Sequence, residues 1–298
     1  MDLNDVKLGS RIMALLVSEH GVGKSGLAAS FYKEGPIKFF DFDGRMDGVR
    51  RLYPHVPKGS IEYETYGPMK EGKVKSIIQF EKDLANLVKS CPYKTIVIDG
   101  LASLTNTSIT FQMISRGAAT VAQLPESMTD PNRRNIPQQK ETKGGIPVPS
   151  WDEFNGESMF CCEVFDICKV LSCNVILTSW PVSRTKIEAG GTTTKESLVT
   201  FGVKTPSMVA GYFNEMWRVI ARADGMETNS EISRYLLTQP YGDYIAKTSL
   251  PIPGEIKIPK IGRFECACCR EEYFYDILMR LKREGLDKLN IKPENKIK

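Results

Sequence analysis

The sequence predicts an α/β fold, with a mostly parallel central sheet flanked by helices and an antiparallel extension. Three observations carry that expectation. Short apolar runs recur at residues 12–17, 37–42, 95–98 and 174–180, and uninterrupted runs of that length read as strands covered on both faces. Between two of them, residues 74–90 place Ile77, Ile78, Phe80, Leu84, Leu87 and Val88 at helical spacing. The first run also passes through a glycine-containing turn, Ser18-Glu19-His20-Gly21-Val22-Gly23, straight into Lys24-Ser25-Gly26 and a stretch of helical character.

That passage from strand to turn to helix is the physical recipe of a phosphate-binding P-loop. Backbone N–H groups of Glu19, His20, Gly21, Val22, Gly23, Lys24, Ser25 and Gly26 would wrap a phosphate at the start of the helix. Lys24 would reach the β- and γ-phosphates, and the Ser25 hydroxyl would sit on Mg²⁺. Ser18 stands where the consensus has its first glycine, yet Gly21 and Gly23 still supply positive φ. ATP and Mg²⁺ are the ligands this pattern calls for.

Taken in order, residues 11–17 are the expected first strand and 24–34 the first helix, which Gly35-Pro36 ends. The second apolar run closes in Asp41-Phe42-Asp43-Gly44-Arg45. Carboxylates at the carboxyl end of a buried strand lie on the rim where open α/β sheets bind ligands. Alone, Asp43 would read as a cap or turn residue. Beside a P-loop it reads equally as the group that orients the water attacking the γ-phosphate. Residues 45–60 read as a basic loop and 61–66 as a third strand. In residues 95–99, four β-branched residues precede Asp99. That is the placement of a Walker B acid serving Mg²⁺ opposite Ser25. Thr178 and Ser179 close the run at 174–180, either as a γ-phosphate sensor or simply as strand-ending hydroxyls.

Between these runs lie two polar stretches. Apolar periodicity fades after Ile114, and residues 124–150 hold five prolines, Gly144-Gly145 and mixed charge that includes Arg133 and Arg134. A connection this long reads either as a solvated insertion or as a mobile loop carrying cations to a phosphate backbone. Residues 151–173 resume a helix in which Cys161, Cys162, Cys168 and Cys173 read as small core hydrophobes. A second polar loop is expected over 181–210, with Arg184, Lys186, Lys195 and Lys204. It leaves from a strand at the nucleotide edge, so it would change shape with the γ-phosphate. Residues 216–221, 232–237 and 244–247 read as antiparallel strands. Lys247 is either an ordinary exposed lysine or a group reaching a neighbouring subunit's nucleotide.

Residues 264–284 read as a helix. A zinc site is not expected at Cys266-Ala267-Cys268-Cys269: four ligands are needed, no second cysteine pair matches, and His20 and His55 are distant in sequence. The stretch 280–298 holds seven basic residues against three acidic and reads as a solvated or partner-binding tail.

Composition sets outer bounds. A chain of 298 residues allows one large α/β domain or two small ones. A net charge of +4 permits a nucleic-acid partner without requiring one. No apolar run is long enough to span a bilayer, and the acidic start Met-Asp-Leu-Asn-Asp lacks a signal-peptide core. A cytoplasmic protein with no membrane partner is expected, its eight cysteines reduced.

The order of P-loop, strand ending in Asp41-Phe42-Asp43, strand ending in Asp99-Gly100-Leu101-Ala102-Ser103-Leu104, then strand with glycine-rich loop resembles the RecA core. It is most similar to the phage RecA-like ATPases related to the Sak-type single-strand annealing recombinases, within the AAA-family recombinase group. The resemblance covers about residues 10–250. It implies a RecA-like ATPase core over 1–260, followed by a C-terminal helix and basic tail over 261–298. It further implies a homo-oligomeric ring or filament with ATP between subunits, and Mg²⁺-dependent hydrolysis that is slow or DNA-stimulated. Asp43 falls where RecA proteins carry their catalytic glutamate, one methylene shorter. Lys24 serves the phosphates, and Lys247 is similar in place to lysines that reach the neighbouring ATP site. Thr178 and Ser179 replace the Asn-Gln-like pair of bacterial RecA. The family binds single-stranded DNA through two loops, which correspond here to 115–150 and 181–205, so Arg133, Arg134, Arg184 and Lys186 would meet the DNA backbone. The implied role is recombination, annealing or replication, in the host cytoplasm if the chain is phage-encoded, with a single-strand-binding or replication protein as a further partner. Two rivals stand beside it. One is a nucleotide-gated assembly protein with little turnover, to which Ser18 and Asp43 lend weight. The other is a small-molecule kinase, which would need an acceptor pocket and lid that leave no signature here.

Overall fold

The computed structural model describes residues 11–115, 149, 151–188, 191–200, 202, 204–223, 232–261 and 265–288. In chain order the elements are β1 (Met13–Val17), α1 (Lys24–Ala29) running into a 3₁₀ turn (Ser30–Lys33), β2 (Ile37–Asp41), α2 (Asp47–Leu52), β3 (Ile61–Gly67) and β4 (Lys75–Ser76). There follow α3 (Ile77–Lys89), β5 (Thr95–Asp99), α4 (Leu101–Ser115), α5 (Trp151–Val170) and β6 (Asn174–Ser179). The remainder are β7 (Pro181–Glu188), β8 (Gly191–Leu198), α6 (Thr205–Tyr212), β9 (Glu215–Ala223), β10 (Ile232–Leu237), β11 (Glu255–Ile258) and α7 (Phe274–Lys288).

Nine strands form one sheet in the order β11-β10-β9-β1-β6-β5-β2-β3-β4. From β9 through β4 every neighbouring pair is parallel, and β10 and β11 add on antiparallel. The expected α/β class, mostly parallel and flanked by helices with an antiparallel extension, is the class the chain adopts. Alternation along β1 shows why. Ala14 and Leu16 face a core shared with Phe31, Val49, Trp217, Phe274 and Leu278, under α1, α2 and α7. Met13, Leu15 and Val17 face the other core, with Phe80, Leu104, Phe165 and Val209 of α3 to α6. Both faces are covered, so the central strands need to be apolar throughout, and β1, β5 and β6 are buried at every position.

Five local expectations change. The first helix is shorter and tightens to 3₁₀ geometry at Ser30. Residues 45–60 are not all loop: α2 forms because Met46 and Val49 reach the core and Asp47 and Arg50/Arg51 suit its two ends. The polar stretch after β6 is a paired hairpin, β7 with β8 in register from Pro181↔Leu198 to Glu188↔Gly191, followed by α6. Its β-branched residues, among them Val182, Thr185, Ile187 and Thr192 to Thr194, favour extended chain and outweigh the glycines. Residues 244–247 form no ladder; only isolated bridges tie Tyr244 to Tyr241 and Lys247 to Met216. The C-terminal helix starts at Phe274, where Asp276 Oδ2 accepts from the Tyr273 N–H at 2.8 Å. None of the described helices is long and apolar enough to cross a membrane.

Candidate functional site

The site lies at the carboxyl ends of β1, β6, β5 and β2, which stand side by side in the sheet. The P-loop leaves β1 at Ser18, whose N–H donates to the Ser179 carbonyl at 3.2 Å. Gly21 (φ +76°) and Gly23 (φ +99°) take the left-handed turns that the sequence required of them. Lys24 then opens α1. Its side chain folds over the loop: Nζ donates to the carbonyls of Ser18 (2.8 Å) and Glu19 (3.1 Å) and to Ser18 Oγ (3.2 Å). Serine in place of glycine at position 18 thus gives the lysine an extra acceptor. Burial lowers the Lys24 pKa to about 8, against the pull of Asp99 and Asp43.

Across from α1, Asp99 ends β5 almost fully buried. Thr178 Oγ1 donates to its Oδ1 at 2.6 Å, and the Ser25 hydroxyl lies near enough to favour its charged form. Burial lifts the Asp99 pKa to about 6; the Thr178 and Ser25 hydroxyls oppose the rise, while Asp43 and Asp41 add to it. Because β6 sits between β1 and β5, Thr178 lands between the loop and the acid, and its Oγ1 also accepts the Gly100 N–H at 2.8 Å. Ser179 is buried beside it, with its hydroxyl donating to the Trp180 carbonyl at 3.2 Å.

The two carboxylates at the end of β2 divide in role. Asp41 is buried and structural: its Oδ1 accepts the Gly44 N–H at 2.8 Å and its Oδ2 accepts from Thr65 at 3.4 Å. Burial raises its pKa. Asp43 is half-buried and turned toward the start of α4, where Ser103 donates to it at 2.5 Å. Gly100, at φ +104°, makes room for it: a Cβ there would lie 2.7 Å from Asp43 Cγ. Lys24, Ser25, Asp43, Asp99 and Thr178 therefore converge on one edge.

Three further residues shape the same edge. Arg218, paired in register with Val17, is buried beside the P-loop. Its guanidinium forms an ion pair with Glu196 of β8 at 2.8 Å and with Glu19 of the loop at 3.1 Å. Arg234 of β10 donates through Nη1 to the Val22 carbonyl at 3.1 Å. The His20 ring lies against Trp180 with centroids 3.7 Å apart. Sequence reasoning took residues 216–221 and 232–237 simply as strands and passed over both arginines. The available signal was a lone arginine inside an apolar run, which a buried position tolerates only with a partner.

The remaining expected residues lie elsewhere or beyond description. Lys247 pairs with Met216, opposite Leu15 and short of the strand tips, and its Nζ donates to the Ala210 carbonyl at 3.1 Å. It lines a cavity of about 350 Å³ with Glu196, Pro206, Met216 and Tyr244. Arg184 and Lys186 fall on β7. Arg133 and Arg134, with the rest of the expected loop at 116–148, lie outside the described residues.

No family model matches the chain, and no curated protein matches it. Among solved structures it is similar to the KaiC-like protein PH0186 from the hyperthermophilic archaea Pyrococcus horikoshii OT3. The two are 16% identical, 85% of this chain and 87% of that one are covered, and the TM-score is 0.44. The fold class rests on the strand order and the two-faced core of the chain itself.

Proposed function

We propose that the protein binds and hydrolyses ATP with Mg²⁺, as a RecA-like ATPase that assembles on single-stranded DNA. The observation that carries the nucleotide half is the meeting of Ser25, Asp99 and Lys24 at the mouth of a loop with two left-handed glycines. A hydroxyl and a carboxylate form a hard oxygen donor pair, the kind Mg²⁺ selects. The buried Asp99 carboxylate, disfavoured as a bare anion, also gains from a cation at that point. Ser25 and Asp99 would hold the metal, which when bound neutralises charge on the phosphates.

The chain's own groups then act as follows. Lys24 exchanges its loop carbonyls for phosphate oxygens. Thr178 holds Asp99 in place through its hydroxyl and reports on the phosphate beyond it. Asp43, half-buried and accepting from the Ser103 hydroxyl, orients the attacking water. The DNA half rests on resemblance and on Arg133, Arg134, Arg184 and Lys186, with Lys247 reaching a neighbouring subunit in a ring or filament. A single-strand-binding or replication protein would be the further partner.

The test is ATP turnover by the full chain with and without single-stranded DNA, alongside DNA affinity across a salt series. Turnover stimulated by DNA, and affinity that falls steeply with salt and rises with ATP, support the whole reading. Tight ATP binding without turnover leaves the rival scaffold reading, which the Ser103 bond occupying Asp43 favours. Absence of DNA binding under every condition removes the DNA half.

A further inference from the structure

The sequence left Cys266, Cys268 and Cys269 without a fourth ligand, and the fold supplies one. His55, more than two hundred positions earlier in the chain, is brought to the same place: ligand atoms of His55, Cys266 and Cys269 all lie within 4.8 Å of one another. Cys268 is not one of that set, but its sulfur is joined to that of Cys266 in a disulfide, so reduction leaves a third thiol beside them. We propose that, with its cysteines reduced, the chain binds one zinc ion through His55, Cys266, Cys268 and Cys269.

Several independent features fit a site of that kind. Cys266 and Cys269 have the Cys-x-x-Cys spacing of zinc knuckles, and a Cys₃His set is a closed structural site. Three thiolates and an imidazole are soft ligands that select zinc over Mg²⁺. An occupied tetrahedron with metal–ligand bonds of about 2.0–2.3 Å holds its ligand atoms roughly 3.5 to 4 Å apart, a contraction that side-chain rotation supplies.

The two segments are also held together by the protein itself. The Ala267 N–H donates to the carbonyl of Leu52, the last residue of α2, at 2.8 Å, and Ala267 is buried. Lys33 donates to the carbonyls of Arg270 (3.4 Å) and Glu271 (3.3 Å) and to Asp276 (2.5 Å). His55 thus follows the end of α2 while the cysteines precede α7. The ion would clip the lead into α7 to the helix that packs against Gly26 of the P-loop helix, where a Cβ would stand 2.5 Å from Leu52 Cδ1.

The chemistry balances simply. Each cysteine thiol releases its proton to solvent as its metal–sulfur bond forms, and neutral His55 donates a ring-nitrogen lone pair. From the disulfide form, a dithiol reductant first delivers two electrons and two protons to the Cys266–Cys268 bond and is itself oxidised to a disulfide.

The test uses the full chain, reduced with a phosphine and titrated with Co²⁺ as a spectroscopic stand-in for zinc. The expected result is one cobalt per chain with the visible absorption of a tetrahedral thiolate site, displaced by Zn²⁺. Asp99→Asn, which alters the separate oxygen site, should leave that absorption unchanged. Cys269→Ser should abolish it. His55→Cys, at an exposed position, should keep the site and shift its spectrum toward all-sulfur ligation; circular dichroism confirms that each variant is folded. Reduced protein that shows no tetrahedral thiolate absorption overturns the proposal. So does an absorption that survives Cys269→Ser, or one that His55→Cys leaves unmoved.

Discussion

The strands β1, β6 and β5 carry no charge before their final residue, whereas β9 and β10 each carry an arginine within the strand. Both sets contribute to the phosphate edge, but by opposite means. The parallel strands deliver polar groups where they run out: Ser18 after β1, Thr178 and Ser179 at the end of β6, Asp99 at the end of β5. Backbone direction alone gathers those tips on one rim. Strand β9, parallel to β1, and β10, antiparallel to β9, instead send long side chains sideways to the loop. Arg218 is fixed there by Glu196 and Glu19, and Arg234 by the Val22 carbonyl. One half places chemistry by topology and the other by ion pairing, so the two should fail differently when altered.

The largest effect is expected at Lys24. Lys24→Ala removes a buried ammonium aimed at the phosphates, and MgATP affinity should fall by about two orders of magnitude or more. Equilibrium titration with a fluorescent ATP analogue measures it. Unchanged affinity would detach the P-loop from the nucleotide and leave the parallel half without a function.

Arg218→Ala tests the other half through stability. Arg218 and Glu196 expose only 3% and 6% of their side chains. Removing the arginine strands a buried carboxylate, and urea denaturation should show a loss of about 3–5 kcal/mol. Arg218→Met combined with Glu196→Leu should lose much less, because no buried charge is left unpaired. Equal losses in the single and double variants would show that packing, not pairing, holds the arginine.

Asp99→Asn should act in the opposite direction on stability. The folded pKa of Asp99 is raised from 3.8 to about 6. Its contribution is therefore whole at low pH and lost as pH rises through 6, where the buried acid ionises. Asparagine stays neutral, so the nucleotide-free variant should gain up to about 3 kcal/mol at pH 7 and nothing well below the unfolded pKa of 3.8. Its Mg²⁺-dependent ATP affinity should drop even so. In the wild type that affinity should weaken as pH falls below 6, when Asp99 takes up a proton. A variant destabilised at pH 7 would show that the carboxylate is satisfied by the fold itself.

The same contrast explains what could be read from the chain. The parallel half is encoded locally: an apolar run, a glycine turn and Gly23-Lys24-Ser25 are contiguous, and four β-branched residues announce Asp99 one position ahead. Fold class and the facing of Ser25 and Asp99 follow from such signals. Arg218 means nothing until Glu196 and Glu19 are beside it, one 22 positions away and the other 199. Likewise the cysteines at 266–269 look incomplete until His55 arrives from across the fold. The hairpin of β7 and β8 was hidden for a different reason: its lysines, glycines and threonines read as loop by polarity, while pairing depends on β-branching and a partner strand.

The smallest predicted effect isolates the loop's geometry from its chemistry. Gly21 has φ +76°, yet a Cβ there would meet nothing within 4 Å. Gly21→Ala therefore meets only the backbone penalty of a left-handed residue, about 1–2 kcal/mol, and no collision. Gly100→Ala has a comparable φ of +104° but would press on Asp43, 2.7 Å from its Cγ. The first should cost modest stability and a few-fold in ATP affinity with turnover per bound ATP intact; the second should cost more stability and displace Asp43, lowering turnover itself. Measuring both variants by denaturation and single-turnover hydrolysis separates the two. If Gly21→Ala also abolishes turnover while ATP stays bound, the loop does more than cradle phosphate, and the division between placement by topology and catalysis by Asp43 fails.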